Sequence, residues 1–165
     1  MFLARFNPVN PVNPVQLRRV VCLLVLWFAP ANGLTQDNAL PSMPTIPLQV
    51  GTRVIHAEVV ATVQDRARGL MHRASLAAQA GMLFVFDAED GEACMWMKNT
   101  GIPLSAAFLA GDGRVINIVD MRPRSEQMHC TAGPAQYALE VNQGIFAAAG
   151  VTPGVRVGGL PPKKQ

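Results

Sequence analysis

The stretch Cys94-Met95-Trp96-Met97-Lys98-Asn99-Thr100 puts a thiol, two thioethers, an indole, an ammonium, an amide and a hydroxyl side by side, and Gly101-Ile102-Pro103-Leu104 closes it. A strand that only fills a core alternates apolar with polar residues and avoids setting Lys beside Asn. An indole is an apolar platform with a single donor, and Lys98 and Asn99 add donors at its edge. Such a group suits a sugar ring, an anionic small molecule or a peptide segment. On a regular strand Cys94, Trp96, Lys98 and Thr100 share one face, and Met95, Met97 and Asn99 share the other. Gly101 and Pro103 restrict the backbone that follows, which holds Asn99 and Thr100 in fixed directions at a strand end, a common place for sites on a rigid scaffold.

A lysine in a mainly apolar domain must reach solvent or find a partner, because an unpaired buried charge is prohibitive. Glu140 is the best-defined candidate. Tyr137, Leu139 and Val141 fall on the opposite face of its strand, leaving it on the less apolar side with Ala138. Trp96, Lys98, Asn99, Thr100 and Glu140 are therefore expected to border one concave site, with Arg68 or Arg73 at its rim. The plainer alternative is that Lys98 and Glu140 form a structural ion pair and Trp96 simply packs.

Other chemistries find little support. The chain has no phosphate-cradling Gly-rich loop, no His-Glu-x-x-His and no Gly-x-Ser-x-Gly. A Ser-His-Asp triad would need His56, His72 or His129, and none stands in a recognised context. No cofactor is called for and no metal ligand set is assigned. Met95, Met97, Met128 and His129 would suit Cu(I) outside the cytoplasm if they converged, but Met95 and Met97 point away from the strand face that bears Cys94. As core residues these methionines need no further explanation.

The first 33 residues read as a secretory signal peptide. Arg5, Arg18 and Arg19 form a basic start, residues 20–29 are an unbroken apolar run, and small residues around Ala29 to Gly33 supply a cleavage pattern. The run is shorter than the roughly 20 residues that span a bilayer, so no permanent membrane span is expected after cleavage; an uncleaved anchor is the alternative. Cys22 sits inside the run, where a lipoprotein cysteine does not belong. The repeat Asn7-Pro8-Val9-Asn10-Pro11-Val12-Asn13-Pro14 lengthens the basic lead-in. A periplasmic or secreted protein is implied. The charge follows: 14 Lys and Arg face 11 Asp and Glu, and loss of the three arginines of the leader leaves 11 against 11. A nucleic-acid partner would need a basic stripe, and none remains. Cys94 and Cys130 are the two cysteines left, and in an oxidising compartment such a pair reads as a disulfide, with separate buried thiols the alternative. A loop of that length would stabilise the fold by about 4 kcal/mol on closure.

Residues 34–47, with three prolines, read as a linker. Residues 48–50, the turn Gly51-Thr52 and residues 53–61 read as a hairpin. Thr62 to Asp65 resembles a capping box, and Ala67, Leu70, Met71 and Ala74 continue as one helix face with Gly69 inside it. A glycine there implies close packing against it. Arg66, Arg68 and Arg73 fall on or beside the opposite face, either solvated or with one of them reaching inward. Residues 81–86 read as a buried strand. Residues 87–92 form an acidic loop. Residues 104–109 and 114–121 flank Ala110-Gly111-Asp112-Gly113, a hairpin signal. A polar loop spans 123–134 and a strand spans 137–141. A short helix capped by Asn142 ends at Gly150, Val155 and Val157 give a last strand, and residues 159–165 form a disordered tail. With no strand-helix-strand alternation, the class is α+β: mainly antiparallel β, a small barrel or curled sheet of about seven strands with two short helices, in one compact domain over residues 48–158.

Four pieces of the chain, in this order and spacing, resemble the domain of unknown function 192 family, small bacterial and archaeal proteins that are often exported. They are Arg66-x-x-Gly69-Leu70-Met71-x-Arg73, residues 81–86, Trp96-Met97-Lys98-Asn99-Thr100-x-Ile102-Pro103-Leu104, and Leu139-Glu140. The resemblance covers about residues 50–158 and implies a compact β-rich domain with no established activity. Where many members carry an acidic residue after Pro-Leu, this chain has Ser105. The residues point first to a cell-envelope binding or accessory module for a small molecule, glycan, peptide or envelope protein. An enzyme using Lys98 and Glu140 is the second reading and a Cu(I)-binding protein the third. No complete acid, base and nucleophile set is visible.

Overall fold

Residues 81–86 carry the longest strand-like apolar run, and the sheet is built around them. The structure, a computed structural model, describes residues 43–87 and 93–162. The leader, the linker up to residue 42, most of the acidic loop and the last three residues lie outside the described residues. In chain order the elements are β1 (Thr45–Val50), β2 (Arg53–Val60), α1 (Val63–Arg68), β3 (Ala80–Val85), β4 (Cys94–Met95), β5 (Leu104–Leu109), β6 (Val115–Met121), β7 (His129–Cys130), β8 (Tyr137–Asn142) and α2 (Ile145–Ala148). Six strands make one sheet in the order β1-β2-β3-β8-β5-β6, and β4 and β7 form a separate two-stranded ribbon. The α+β, mainly antiparallel expectation is met. One pair departs from it: β2 and β3 run parallel, with His56 opposite Ala80 and Val60 opposite Phe84. Their connection carries α1, so the chain does contain one strand-helix-strand unit, as a parallel neighbour requires a crossover.

Beyond Gly154 the chain does not form a further strand. Residues 155–158 make isolated bridges, Arg156 to Arg114 and Gly158 to Gln49. The amide of Val115 donates to the carbonyl of Val155 at 2.8 Å, and Gln49 and Gly158 exchange two bonds of 2.9 Å. This stretch thus joins the two outermost strands, β1 and β6, and closes the sheet on itself. Residues 159–162, expected to begin a loose tail, stay with the body: Leu160 packs against the core and Tyr137 Oη donates to the carbonyl of Pro161 at 2.8 Å.

The side chains sort into two apolar clusters on the two faces of the sheet. Leu48, Ile55, Leu83, Ala107, Leu109, Tyr137, Leu139 and Val141 meet on the enclosed face, with Phe146 of α2. Val60, Met82, Phe84, Leu104, Ala106, Phe108 and Ala138 lie on the outer face, beneath Leu70, Met95, Met97 and Ile102. Strands buried on both faces read as continuous apolar runs, which is why β3, β5 and β8 lack clean alternation.

Three local differences from the sequence reading have physical causes. β1 starts at Thr45 and takes in Pro47, which an outermost strand tolerates. The capping box forms as expected: the Asp65 amide donates to Thr62 Oγ1 at 3.0 Å, and Thr62 Oγ1 donates to Asp65 Oδ2 at 2.6 Å. The helix, however, stops at Arg68. Gly69 sits at φ 46°, and a Cβ there would lie 3.2 Å from Phe84 Cζ. The glycine was expected to pack closely within a helix and instead ends it, so Leu70, Met71 and Ala74 follow in turns. Asn142 does not cap α2, which Gly144 opens. Asn142 is the last residue of β8, and its amide donates to the carbonyls of Leu76 and Ala77 at 2.9 and 3.2 Å. Among the described residues, no helix is long and apolar enough to cross a membrane.

Candidate functional site

The focal segment is a strand only at its start. Cys94 pairs with Cys130 and Met95 with His129 across the β4/β7 ribbon. The two cysteines form a disulfide with Cα atoms 4.0 Å apart. Past Met95 the ribbon offers no further partner. The Met97 amide donates to the carbonyl of Ser125 at 2.9 Å, and the Thr100 amide turns back to Met97 at 3.0 Å. Asn99 takes a left-handed φ of 56°. The two-face pattern of a regular strand therefore breaks at the turn: Met95, Met97 and Thr100 are buried, while Trp96 is 41% exposed. Lys98 Nζ lies 5.2 Å from the centre of the Trp96 ring, within cation–π range.

Two cavities lie against this segment. The first, about 250 Å³, is lined by Arg66, Ala67, Arg68, Gly69, Leu70, Met71, Phe84, Phe86, Cys94, Met95, Trp96, Thr100 and Glu140. Glu140 sits in the middle of the sheet, opposite Met82 on one side and Ala106 on the other. It is only 4% exposed and makes no side-chain hydrogen bond or ion pair to any described residue. Burial pushes its carboxyl up to about 8, so it is largely neutral at pH 7. A neutral carboxyl can donate one hydrogen bond and accept others. Thr100 supplies a hydroxyl nearby, bonded weakly to the Lys98 carbonyl at 3.3 Å. The arginines at this cavity differ in kind. Arg66 reaches inward, donating to the carbonyls of Ala61 and Val85 and to Asp87 at 2.8 Å. It stitches α1 to the end of β3. Arg68 is exposed and makes no ion pair with a described residue.

The second cavity, about 400 Å³, is lined by His72, Arg73, Lys98, Asn99, Gly101, Arg124 and Glu126. Arg73 grips Glu58 of β2 with both terminal nitrogens, at 2.5 and 2.6 Å. The hydrogen bond to Glu58 raises the arginine's pKa above its ordinary value, against burial. Lys98 stands 3.7 Å from Glu126, the lysine side chain half-buried and the glutamate exposed.

The expected single site is thus two. Trp96, Thr100, Glu140 and Arg68 meet at the first cavity; Lys98, Asn99 and Arg73 meet at the second. The expected pairing of Lys98 with Glu140 does not form: the lysine's carboxylate is Glu126, from the 123–134 loop. The Cu(I) set does not assemble either. Met95 faces the first cavity and lies opposite His129, but Met97 is fully buried, Met128 is 55% exposed, and neither lines either of these two cavities. Ser105 lies on the enclosed face of β5, away from Glu140. It donates to Asp120 at 2.5 Å and accepts from the Gly144 amide at 3.3 Å. Ser105 therefore does not line the first cavity. His72, Arg124, Met71 and Phe86 were not among the expected site residues. The apolar pair lies in turns and at a strand end, and the cationic pair carries no local motif.

A small closed sheet, with a disulfide-braced segment laid over one face and a buried acid beneath it, is the kind of domain these features define. The chain belongs to the domain of unknown function 192 family (DUF192, Uncharacterized ACR), whose profile matches residues 46–159. A protein of unknown function from Novosphingobium aromaticivorans DSM 12444 is similar in structure. Its TM-score is 0.68 at 34% identity, over 72% of this chain and 88% of that one. A protein from Sinorhizobium meliloti 1021, described only provisionally as a transcription regulator, gives a TM-score of 0.67 at 34% identity, over 72% of this chain and 95% of its own. No curated protein matches the chain.

Proposed function

We propose that this protein is an exported binding module of the cell envelope that receives a small group of its ligand in the cavity over Glu140. One observation carries the reading: a carboxyl buried in the middle of a sheet, without a partner among the described residues, faces a cavity. Burying such a group unpaired costs stability, and that cost is offset when a ligand supplies the missing hydrogen bonds. Met71, Phe84, Phe86 and Met95 give the cavity apolar walls, Trp96 stands at its mouth, and Arg68 adds an exposed cation. At about 250 Å³ it is smaller than the roughly 300–1,000 Å³ of sites that engulf a drug-sized molecule. It suits the end of a small molecule, one polar substituent of a glycan, or a peptide side chain. Export rests on the leader pattern of residues 1–33 and on the Cys94–Cys130 bridge, which belongs to an oxidising compartment.

The test is a thermal-shift screen of the purified mature protein against envelope metabolites, glycans and short peptides, run in parallel on Glu140→Ala and Glu140→Gln. Ligands that stabilise the native protein should lose their effect in the alanine variant while its fold is retained. Stabilisation that is the same in all three proteins would place the site elsewhere. For export, N-terminal sequencing of periplasmic material should give a start near Asn32 or Leu34. A soluble cytoplasmic protein that keeps Met1 would refute it. An enzyme that combines Lys98 with Glu140 is disfavoured, since the two line different cavities. A neutral acid facing a cavity keeps a narrower version open, with Glu140 acting alone as a proton donor. Turnover of any ligand found in the screen would establish it.

A further inference from the structure

The second cavity has a property the first lacks. Three non-glycine residues of the described chain have a left-handed backbone: His72 at φ 63°, Asn99 at 56° and Arg124 at 59°. All three line this one cavity. Each such residue carries backbone strain that glycine would largely avoid. At all three positions the chain keeps a side chain that can donate hydrogen bonds. Backbone bonds lock the three loops together: the His72 amide donates to the carbonyl of Asn99 at 2.9 Å, and the Arg124 amide donates to the carbonyl of Thr100 at 2.9 Å. The cavity is therefore a rigid meeting point of donors from three separate loops.

Its charge balance is positive. Arg73 is neutralised by Glu58 through two short bonds. Arg124 makes no side-chain hydrogen bond or ion pair with a described residue, and its Nη2 would lie 4.0 Å from a Cβ built on Gly101. The guanidinium thus lies beside the one position of the segment that has no side chain. Lys98 approaches Glu126 only to 3.7 Å, beyond the roughly 2.7–2.9 Å of a charge-assisted hydrogen bond, so its ammonium keeps donors to spare. Glu126 is the one acidic residue in the lining, and its side chain is 67% exposed.

We propose that this cavity is an anion site, which takes a phosphate or carboxylate group of a small molecule between Arg124, Lys98, Asn99 and His72. The planar guanidinium binds two oxygens at once, and the ammonium acts as a point charge on a third. The site is independent of the reading of the Glu140 cavity and survives its failure.

The experiment is an NMR titration of the purified, isotopically labelled mature protein with inorganic phosphate and, separately, with malonate, at about 0.15 M salt to screen non-specific attraction. Saturable shifts centred on the amides of residues 72, 98–101 and 124 are expected with at least one anion, and the stronger of the two identifies the group. Arg124→Gln and Lys98→Ala should each weaken binding by about tenfold or more. Asn99→Gly, which keeps the left-handed backbone and removes only the carboxamide, should weaken it less and melt no lower than the native protein, and Arg124→Gln and Lys98→Ala should keep the native melting temperature. The proposal is overturned if neither anion produces saturable shifts there, or if Arg124→Gln and Lys98→Ala bind as the native protein does.

Discussion

The two cavities lie against one segment and are opposites in construction. Over Glu140 an acid is buried in the sheet without a partner among the described residues, so burial keeps its proton on, and Met71, Phe84, Phe86 and Met95 wall the cavity beside Arg66, Arg68 and Thr100. Beside Arg124 the polar groups sit on loops near solvent, held by backbone bonds and by strained dihedrals. In the first the free energy is stored as desolvation of a side chain; in the second it is stored in the main chain. The contrast separates their responses. The first should answer to pH and to changes of volume, the second to charge and to loss of loop anchors.

The largest expected effect tests what the two share. The disulfide ties the start of the segment to β7 across a sequence separation of 36 residues. Replacing both cysteines by alanine should lower stability by about 4 kcal/mol, read by thermal denaturation, and impair ligand binding at both cavities. Damage confined to one would show that the segment is anchored separately on its two sides.

Next comes Glu140. Its folded pKa of about 8 lies above the ordinary carboxyl value, so between about pH 4.5 and 8 the unfolded chain has lost a proton that the folded chain keeps. Stability should fall as pH rises across that window, by up to about 1.4 kcal/mol per unit, and level off above it. Glu140→Gln cannot ionise and should flatten the profile, leaving the variant about 2–3 kcal/mol more stable than the native protein near pH 7. Urea unfolding across pH checks it. A variant less stable than the native protein at pH 8 would mean that the carboxylate has a favourable partner after all.

Arg73→Ala follows. It strands Glu58, whose side chain is only 16% exposed, and should cost about 2 kcal/mol, without altering the pH profile set by Glu140. The smallest stability change belongs to Arg124→Gln, within about 0.5 kcal/mol in the same unfolding assay, although it should have the largest effect on anion binding.

Much of the fold could be read from the chain because the relevant signals are local. Ala110-Gly111-Asp112-Gly113 marked the β5/β6 hairpin, Thr62 and Asp65 marked the start of α1, and the apolar run at 81–86 marked β3. Alternation in β8 put Glu140 on the face opposite Tyr137, Leu139 and Val141, where it lies. What failed depended on distant contacts. Leu70 and Met71 fit helical spacing, yet Phe84 packs against Gly69 and the helix ends before them. The parallel pairing of β2 with β3 is a long-range choice that no local motif encodes. Glu140 has no partner among the described residues because the segment above it turns at Asn99 and carries Lys98 off toward Glu126. A left-handed turn at a residue other than glycine leaves little trace in sequence, and so the division of the site into two could not be foreseen.

The stretch at residues 155–158 that closes the sheet has a bearing on how the protein behaves in a crowd. It meets β1 at Gln49 and the start of β6 at Arg114, and so covers part of each terminal strand with a single short clasp. The clasp shortens the stretch of each border that a passing chain could pair with. A polypeptide cut after Gly154 would lose the clasp and bare two unsatisfied strand borders at once, and the nearest complement to either is the same border on another copy. Such a truncation should self-associate more readily than the full chain, as light scattering of the two would show.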